Sequence, residues 1–196
     1  MVIILGKYDH FRRMEGTGTA IRIAIVGPEC TGKSDLANFL AQHFHTACVP
    51  EYARNYIDQL NRPYEKSDLI KIAQGQLWLE DERALKANEV LICDTNLLVI
   101  KIWSDFKYGD CPFEITDLMK ERKYTLHLLT YVDIPWEADP QREHPDKREI
   151  LFDLYKNELV KNNVAFVTIK GSQESRRKTA VQAIEKIMKE SRSHHI

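Results

Sequence analysis

The chain has 196 residues, of which 43% are hydrophobic and 29% charged, and its formal net charge at pH 7 is −1. This length favours one globular domain. The balanced charge offers no broad attraction to a nucleic acid or an anionic membrane surface, and the apolar start, Met1 to Leu5, is too short for a signal peptide or a spanning helix. We therefore predict a cytoplasmic protein with no nucleic-acid or membrane partner.

The four cysteines form no Cys-x-x-Cys pair, so we expect four free thiols. Residues 1–19 lack a regular hydrophobic period and end in Gly16-Thr17-Gly18-Thr19, which predicts a loose leader in which Met14 is a candidate natural start. We expect the domain to span residues 20–190, with a tail at 191–196.

Strand and helix patterns alternate from residue 21 onward. Predicted strands cover 21–26, 47–50, 90–94, 126–132 and 165–169, and predicted helices cover 35–44, 67–87 with Ser67 as N-cap, 97–106, 149–161 and a last helix to about 188. Continuous apolar strands that alternate with helices indicate a parallel sheet covered on both faces. We predict a three-layer α/β/α fold with a five-stranded parallel sheet.

Between the first strand and the first helix lies Gly27-Pro28-Glu29-Cys30-Thr31-Gly32-Lys33-Ser34. This is a complete phosphate-binding P-loop in its expected context, although a glycine turn with a solvated lysine is the plain alternative. Lys33 is predicted to reach the β- and γ-phosphates of ATP, and Ser34 to bind Mg²⁺. Predicted nucleotide-binding residues are Gly27, Glu29, Cys30, Thr31, Gly32, Lys33, Ser34 and Gly171, the last in the turn after the fifth strand. The fold class is then that of a P-loop NTPase.

Two acids follow predicted strands, Glu51 and Asp94. The carboxyl ends of parallel strands meet at one ligand crevice, so both should face Lys33. We assign Asp94 to the metal and Glu51 to the attacking hydroxyl, as two catalytic carboxylates. The assignment could also be reversed, Asp94 could cap the next helix, and Glu51 could form a surface ion pair with Arg54.

Residues 133–148 are polar, contain three prolines, and are longer than a simple connection needs. This composition predicts a short lid that brings Arg142 and Arg148 to the transferred phosphoryl group as catalytic cations. A solvated loop, with these charges paired to Glu143 and Asp146, is the alternative.

Aromatic side chains near the predicted crevice could hold a flat heteroaromatic acceptor. Trp78 and Trp103 stand at helical spacing among aliphatic residues, which favours core packing for both. Trp136, between Pro135 and Glu137, is the better candidate for a ligand contact.

These segments resemble the ribosylnicotinamide kinase domain of the NadR-type proteins over about residues 21–188. Besides the P-loop, the resemblance is carried by Glu51-Tyr52-Ala53-Arg54, Ala73-Gln74-Gly75-Gln76, Cys93-Asp94-Thr95-Asn96, Trp103 with Gly109, and Asp133-Ile134-Pro135-Trp136. It implies transfer of the γ-phosphate of ATP to the 5′-hydroxyl of nicotinamide riboside. The residues that it places near the riboside are Glu51, Tyr52, Arg54, Asp94, Asn96 and Trp136.

Unlike the longer members of that family, this chain is expected to have no room for an adenylyltransferase domain, and it contains no His-x-Gly-His signature. Another nucleoside or deoxynucleoside kinase, or a regulatory ATPase, would also fit the P-loop and its acids. The sequence leaves open the exact acceptor, feedback regulation, and whether the chain forms a homo-oligomer.

Overall fold

The computed structural model describes residues 20–193, so the predicted leader, 1–19, and the last three residues lie outside it. The strands are β1 (Ile21–Val26), β2 (Cys48–Val49), β3 (Val90–Asp94), β4 (Leu126–Thr130) and β5 (Phe166–Ile169). The helices are α1 (Lys33–His43), α2 (Tyr52–Asp58), α3 (Lys66–Ala84), α4 (Leu97–Tyr108), α5 (Phe113–Glu121), α6 (Arg148–Lys161) and α7 (Gln173–Ser193).

The five strands form one parallel sheet in the order β2-β3-β1-β4-β5. β1 is central and pairs with β3 on one side and β4 on the other. In open parallel sheets a ligand crevice forms outside the carboxyl ends of the strands where the order reverses. The loop after β1, which carries the predicted phosphate-binding motif, lies at that point.

Alternate residues of β1 face opposite layers. Ile23 and Ile25 are fully buried against α1 and α7, whereas Ala24 and Val26 pack against α4 and α6. Such two-sided burial explains why the strands read as continuous apolar runs. The predicted three-layer α/β/α fold of a P-loop NTPase is confirmed.

Two helices, α2 and α5, were missed by the sequence prediction. α2 has seven residues and α5 has nine, and each has a single buried residue, Ala53 in α2 and Ile115 in α5. Helices this short take their stability from tertiary packing rather than from local periodicity. α7 also continues past the predicted end to Ser193.

The predicted N-cap of α3 was wrong. Glu65, not Ser67, caps this helix, and it forms a capping box with Asp68. Asp68 is fully buried and accepts a hydrogen bond from the Glu65 amide at 2.9 Å. The Arg62 guanidinium bonds both carboxylate oxygens of Asp68 and holds its pKa below the usual range. This pairing decides where the helix begins.

The predicted lid, 133–148, has irregular backbone apart from a 3₁₀ turn at Pro145–Lys147. All four cysteines are free thiols, as predicted. In the part of the chain from residue 20 to residue 193, no helix combines the length and apolar character needed to cross a bilayer.

Candidate functional site

The P-loop backbone takes conformations that glycine adopts readily. Gly27 has φ of 139° and Gly32 has φ of 72°, and Gly32 is the N-cap of α1. Cys30 also has a positive φ, 53°. The loop therefore wraps around the start of α1, where backbone amides and the helix dipole favour a phosphate group.

Lys33 extends along this loop. Its ammonium group donates hydrogen bonds to the carbonyl oxygens of Gly27, at 3.1 Å, and Pro28, at 2.7 Å. Burial lowers the pKa of Lys33, while the carboxylates of Glu51 and Asp94 oppose that effect. The charges of both acids therefore act on Lys33, and its predicted contact with the phosphates of ATP stays a prediction.

Asp94 ends β3 and is 5% exposed. The Ser34 side chain hydrogen-bonds its carboxylate, and burial raises its pKa. Its Oδ1 atom is buried and has no hydrogen-bond partner among the described residues. A hydroxyl beside a carboxylate with a spare oxygen suits Mg²⁺, which takes one or two protein oxygens and completes its shell with water and phosphate. Across residues 20–193 there is no cluster of three or more His, Cys, Asp or Glu side chains that could form an all-protein metal cage.

Glu51, the N-cap of α2, lines the cavity beside the P-loop. Burial raises its pKa, and the neighbouring Lys33 opposes the rise. Arg54 lies 3.5 Å from Glu51 and bonds Asp139 of the lid segment at 3.1 Å. The ion pair considered from sequence is therefore present, and it joins the acid to the lid rather than leaving it on the open surface.

The two predicted lid arginines both contact Cys30 of the P-loop. Arg142 lines the cavity and donates to the Cys30 sulfur at 3.3 Å and to the Glu137 carbonyl. Arg148 donates to the carbonyl oxygens of Cys30, at 3.2 Å, and Ile134, at 2.8 Å. Both side chains tie the lid segment to the loop, and their predicted catalytic contact with a phosphoryl group stays a prediction.

A cavity extends from the P-loop between α2, α4, α6 and the lid segment. All of the predicted P-loop residues, Glu51, Arg54 and Arg142 line it. Its lining also includes residues that sequence reasoning had not placed in the site, namely Ile102, Trp103, Phe106, Gln141, His144, Leu151 and Tyr155. The signal for the aromatic members was weak, because helical spacing alone does not separate a core position from a cavity wall.

Other predicted site residues lie away from the cavity lining. The Tyr52 ring packs against Gly75, where an added Cβ would lie 2.1 Å from the ring. Asn96 is buried, caps α4 by accepting from Leu98 at 3.1 Å, and contacts His127. The helix cap considered for Asp94 therefore belongs to Asn96, and the predicted substrate contacts of Tyr52 and Asn96 stay predictions.

Trp136 and Gly171 also lie outside the lining. The Trp136 ring lies under the Arg148 guanidinium, 5.7 Å from it. Gly171 has φ of 94° and donates its amide hydrogen to Asp133. Their predicted roles, in acceptor and nucleotide binding, stay predictions.

Arg176 was missed by sequence reasoning. It is 5% exposed and donates to the carbonyl oxygens of Thr31 and Tyr131, each at 2.8 Å, and of Gly171 at 3.2 Å. It also pairs with Asp133. One guanidinium therefore joins the P-loop to the loops after β4 and β5, and a fork of N–H donors suits that task.

Comparisons with known proteins show the family to which the chain belongs. A family model described as "AAA domain" matches residues 22–176. Over 181 residues the chain is 31% identical to the trifunctional NAD biosynthesis/regulator protein NadR of Escherichia coli (strain K12), a match that covers 87% of this chain and 43% of that protein. The chain thus spans less than half the length of this curated relative.

Solved structures show the same fold. A crystal structure of NadR protein in complex with NR has a TM-score of 0.73 at 18% identity, over 86% of this chain and 51% of that one. The complex of NadR protein with NAD and AMP-PNP gives 0.71 at 17% identity, over 86% and 49%. Thymidylate kinase from Ehrlichia chaffeensis gives 0.62 at 13% identity, over 84% and 98%.

Proposed function

Because the chain belongs to the AAA domain family and is homologous to NadR, we propose that it is an ATP-dependent kinase that phosphorylates the 5′-hydroxyl of nicotinamide riboside to give nicotinamide mononucleotide. The observation that carries the proposal is that Glu51, whose charge acts on Lys33, lines a cavity that Trp103, Phe106 and Tyr155 also line. A regulatory ATPase that only hydrolyses ATP would not need a cavity for an acceptor. The relative's name places it in NAD biosynthesis, and one neighbouring structure holds NR.

The nucleotide phosphates of ATP would occupy the P-loop, where the amides at the start of α1 point. Lys33 would then exchange its two carbonyl partners, Gly27 and Pro28, for the β- and γ-phosphate oxygens. Its burial favours that exchange, since a charged ammonium gains more from a phosphate than from two carbonyls in a site of low dielectric. An ATP analogue is bound in one of the neighbouring structures.

Ser34 and Asp94 are the residues that would hold Mg²⁺, through the serine hydroxyl and the unpartnered Oδ1 atom of Asp94. When bound, the ion neutralises charge on the phosphate oxygens during transfer. Asp94 itself also offsets the positive charge of Lys33.

Glu51 would accept the proton of the acceptor hydroxyl as that oxygen forms its bond to the γ-phosphorus. The bond from the γ-phosphorus to the bridging oxygen breaks, and ADP carries the released electron pair. Burial raises the pKa of Glu51, which brings this carboxylate closer to the range where it is an effective general base. Arg54 fixes its orientation from 3.5 Å.

Trp103 and Phe106 would face the ring of the acceptor. Both belong to α4 and line the cavity, and His144 of the lid contacts Phe106 edge to face at 4.9 Å between ring centres. A flat cationic pyridinium ring is favoured against aromatic faces. Another nucleoside base would also fit against these rings, which keeps a different nucleoside kinase as the second candidate.

The test is a kinase assay with ATP and nicotinamide riboside, in parallel with a panel of nucleosides and deoxynucleosides and with ATP alone. We expect nicotinamide mononucleotide, detected by mass, with the riboside as the preferred acceptor by kcat/KM. Preference for another nucleoside would overturn the substrate, and ATP turnover that no acceptor accelerates would overturn the kinase.

A further inference from the structure

One side chain of the cavity has a polar group that the protein does not use. Tyr155 is 4% exposed and lines the cavity. No residue in the described part of the chain hydrogen-bonds its hydroxyl, and the hydroxyl oxygen is not sealed off from the cavity space. A tyrosine hydroxyl in a buried position usually finds a partner, so this one is left for a molecule that enters the cavity.

The ring of Tyr155 is held firmly. Leu151, Tyr155 and Leu159 occupy one face of α6 at intervals of four residues, and all three are buried in the core cluster beneath β1 and β4. Side chains at this spacing point to the same side of a helix. The phenol ring is therefore fixed by packing, while its oxygen projects from the core into the cavity.

We propose that Tyr155 is a specificity-determining residue that donates a hydrogen bond to a sugar hydroxyl of the acceptor, an inference that rests on the kinase function proposed above. Its neighbours suit that role, because the charges of Glu51 and Glu29 both act on it. Burial raises the pKa of Tyr155 well above its usual range, and the two carboxylates raise it further. The phenol therefore keeps its proton and serves as a donor at neutral pH.

Glu51 and Tyr155 would divide the recognition of the sugar. Glu51 accepts from the hydroxyl that is phosphorylated, and Tyr155 donates to an oxygen that is not, so that together they fix the direction of the sugar ring. A site that hydrogen-bonds a substrate hydroxyl rejects the analogue that lacks it far more strongly than an apolar pocket can. The arrangement would thus favour a riboside over a deoxyriboside.

The first experiment compares Tyr155→Phe with the wild-type enzyme for both substrates. Phenylalanine fills the same apolar slot, so the melting temperature should stay within about 2 °C of the wild type. We expect kcat/KM for nicotinamide riboside to fall about tenfold through KM, with KM for ATP unchanged. Tyr131→Phe is the matched control, since the Tyr131 hydroxyl lies on the surface near Glu149 and outside the cavity.

The second experiment uses the 2′- and 3′-deoxy analogues of the riboside. If Tyr155 contacts one of these hydroxyls, kcat/KM of the wild type should be about tenfold lower for the analogue that lacks that hydroxyl. For Tyr155→Phe the same comparison should give less than a twofold difference. A variant that discriminates as well as the wild type, or one whose KM rises for ATP instead, would contradict the inference. If the wild type phosphorylates no riboside at all, the proposed kinase function is wrong. Failure of that function is thereby distinguished from failure of the Tyr155 inference alone.

Discussion

The hydroxyl oxygens of Thr31 and Thr130 lie 2.7 Å apart in a buried hydrogen bond. Thr130 is the last residue of β4, and its hydroxyl also donates to the Val26 carbonyl at 3.2 Å. The P-loop is thereby fastened across the sheet to the strand beside it. Gly27 packs closely against the same threonine. A Cβ at position 27 would lie 2.5 Å from the Thr130 hydroxyl oxygen and 2.8 Å from the Thr130 carbonyl oxygen.

We therefore expect Gly27→Ala to damage both stability and nucleotide binding. The backbone at φ of 139° strains any side chain, and the contact with the Thr130 carbonyl cannot be relieved by a rotamer change. Together they should cost about 3 kcal/mol, which for a domain of this size corresponds to roughly 6–12 °C in Tm. Thermal melting and calorimetric titration with ATP would measure the two effects, and ATP affinity should fall at least tenfold.

Gly109→Ala is the matched control for that variant. Gly109 ends α4 with φ of 85°, and no atom lies within 4 Å of its Cβ position. Only the backbone strain remains there, so we expect a loss of about 1 kcal/mol and unchanged ATP affinity. Equal effects of the two substitutions would show that the contact with Thr130 is unimportant.

Lys33→Ala should abolish phosphoryl transfer and leave the fold intact. The ammonium group is half-buried and burial lowers its pKa, so its removal takes away a partly desolvated charge as well as the contact with phosphate. We expect kcat to fall by at least about 10³, with a cooperative melting transition retained. The control is Lys86→Ala, which should have wild-type activity because Lys86 is an exposed residue just after α3. Wild-type turnover in Lys33→Ala would rule out the P-loop assignment.

The P-loop and its acids could be predicted because local sequence determines them. A glycine-rich turn between strand and helix needs no distant contact to be recognised. The carboxyl ends of parallel strands meet at one edge, so Glu51 and Asp94 could be placed near Lys33 before any side-chain contact was known. The same reasoning failed at Ser67, because the cap of α3 depends on Arg62 and buried Asp68 rather than on cap preference.

The aromatic residues that line the cavity could not be predicted in the same way. Trp103 lies on α4 among aliphatic residues, and its spacing is the same whether it faces the core or a cavity. Tyr155 reads as an ordinary buried position of α6, and its free hydroxyl becomes visible only when the neighbouring elements are in place. Arg176 joins loops that are 145 and 45 residues away along the chain, at Thr31 and Tyr131, and no local pattern signals such contacts.

Substitution of Trp103 and of Trp136 provides a direct test of which aromatic ring binds the acceptor. Trp103 lines the cavity, whereas Trp136 lies outside the lining and beneath Arg148. We expect Trp103→Ala to raise KM for nicotinamide riboside about tenfold with little effect on KM for ATP, as loss of a ring contact would. Trp136→Ala should raise it less than threefold. The reverse order would favour the sequence-based assignment of Trp136 and require the lid segment to move on binding.

A buried carboxyl outside the cavity lining should control how stability depends on pH. Glu80 is fully buried on α3, its Oε1 accepts a hydrogen bond from the Tyr124 hydroxyl at 2.6 Å, and its Oε2 has no hydrogen-bond partner in the described structure. Burial raises the pKa of Glu80 to about 7. The folded protein thus holds this proton more tightly than the unfolded chain does, and the free energy of unfolding should fall as pH rises from about 4.5 to about 7.

Buried His127 acts in the opposite direction, because burial lowers its pKa to about 4. Stability from that group rises with pH between about 4 and 6.5, so the two effects largely cancel in the wild-type profile. The difference between Glu80→Gln and the wild type isolates the carboxyl. We expect the variant to be more stable than the wild type by about 2 kcal/mol at pH 8, and by much less at pH 5. Urea denaturation at both values measures this, and a difference that does not change with pH would mean that Glu80 ionises normally in the folded state.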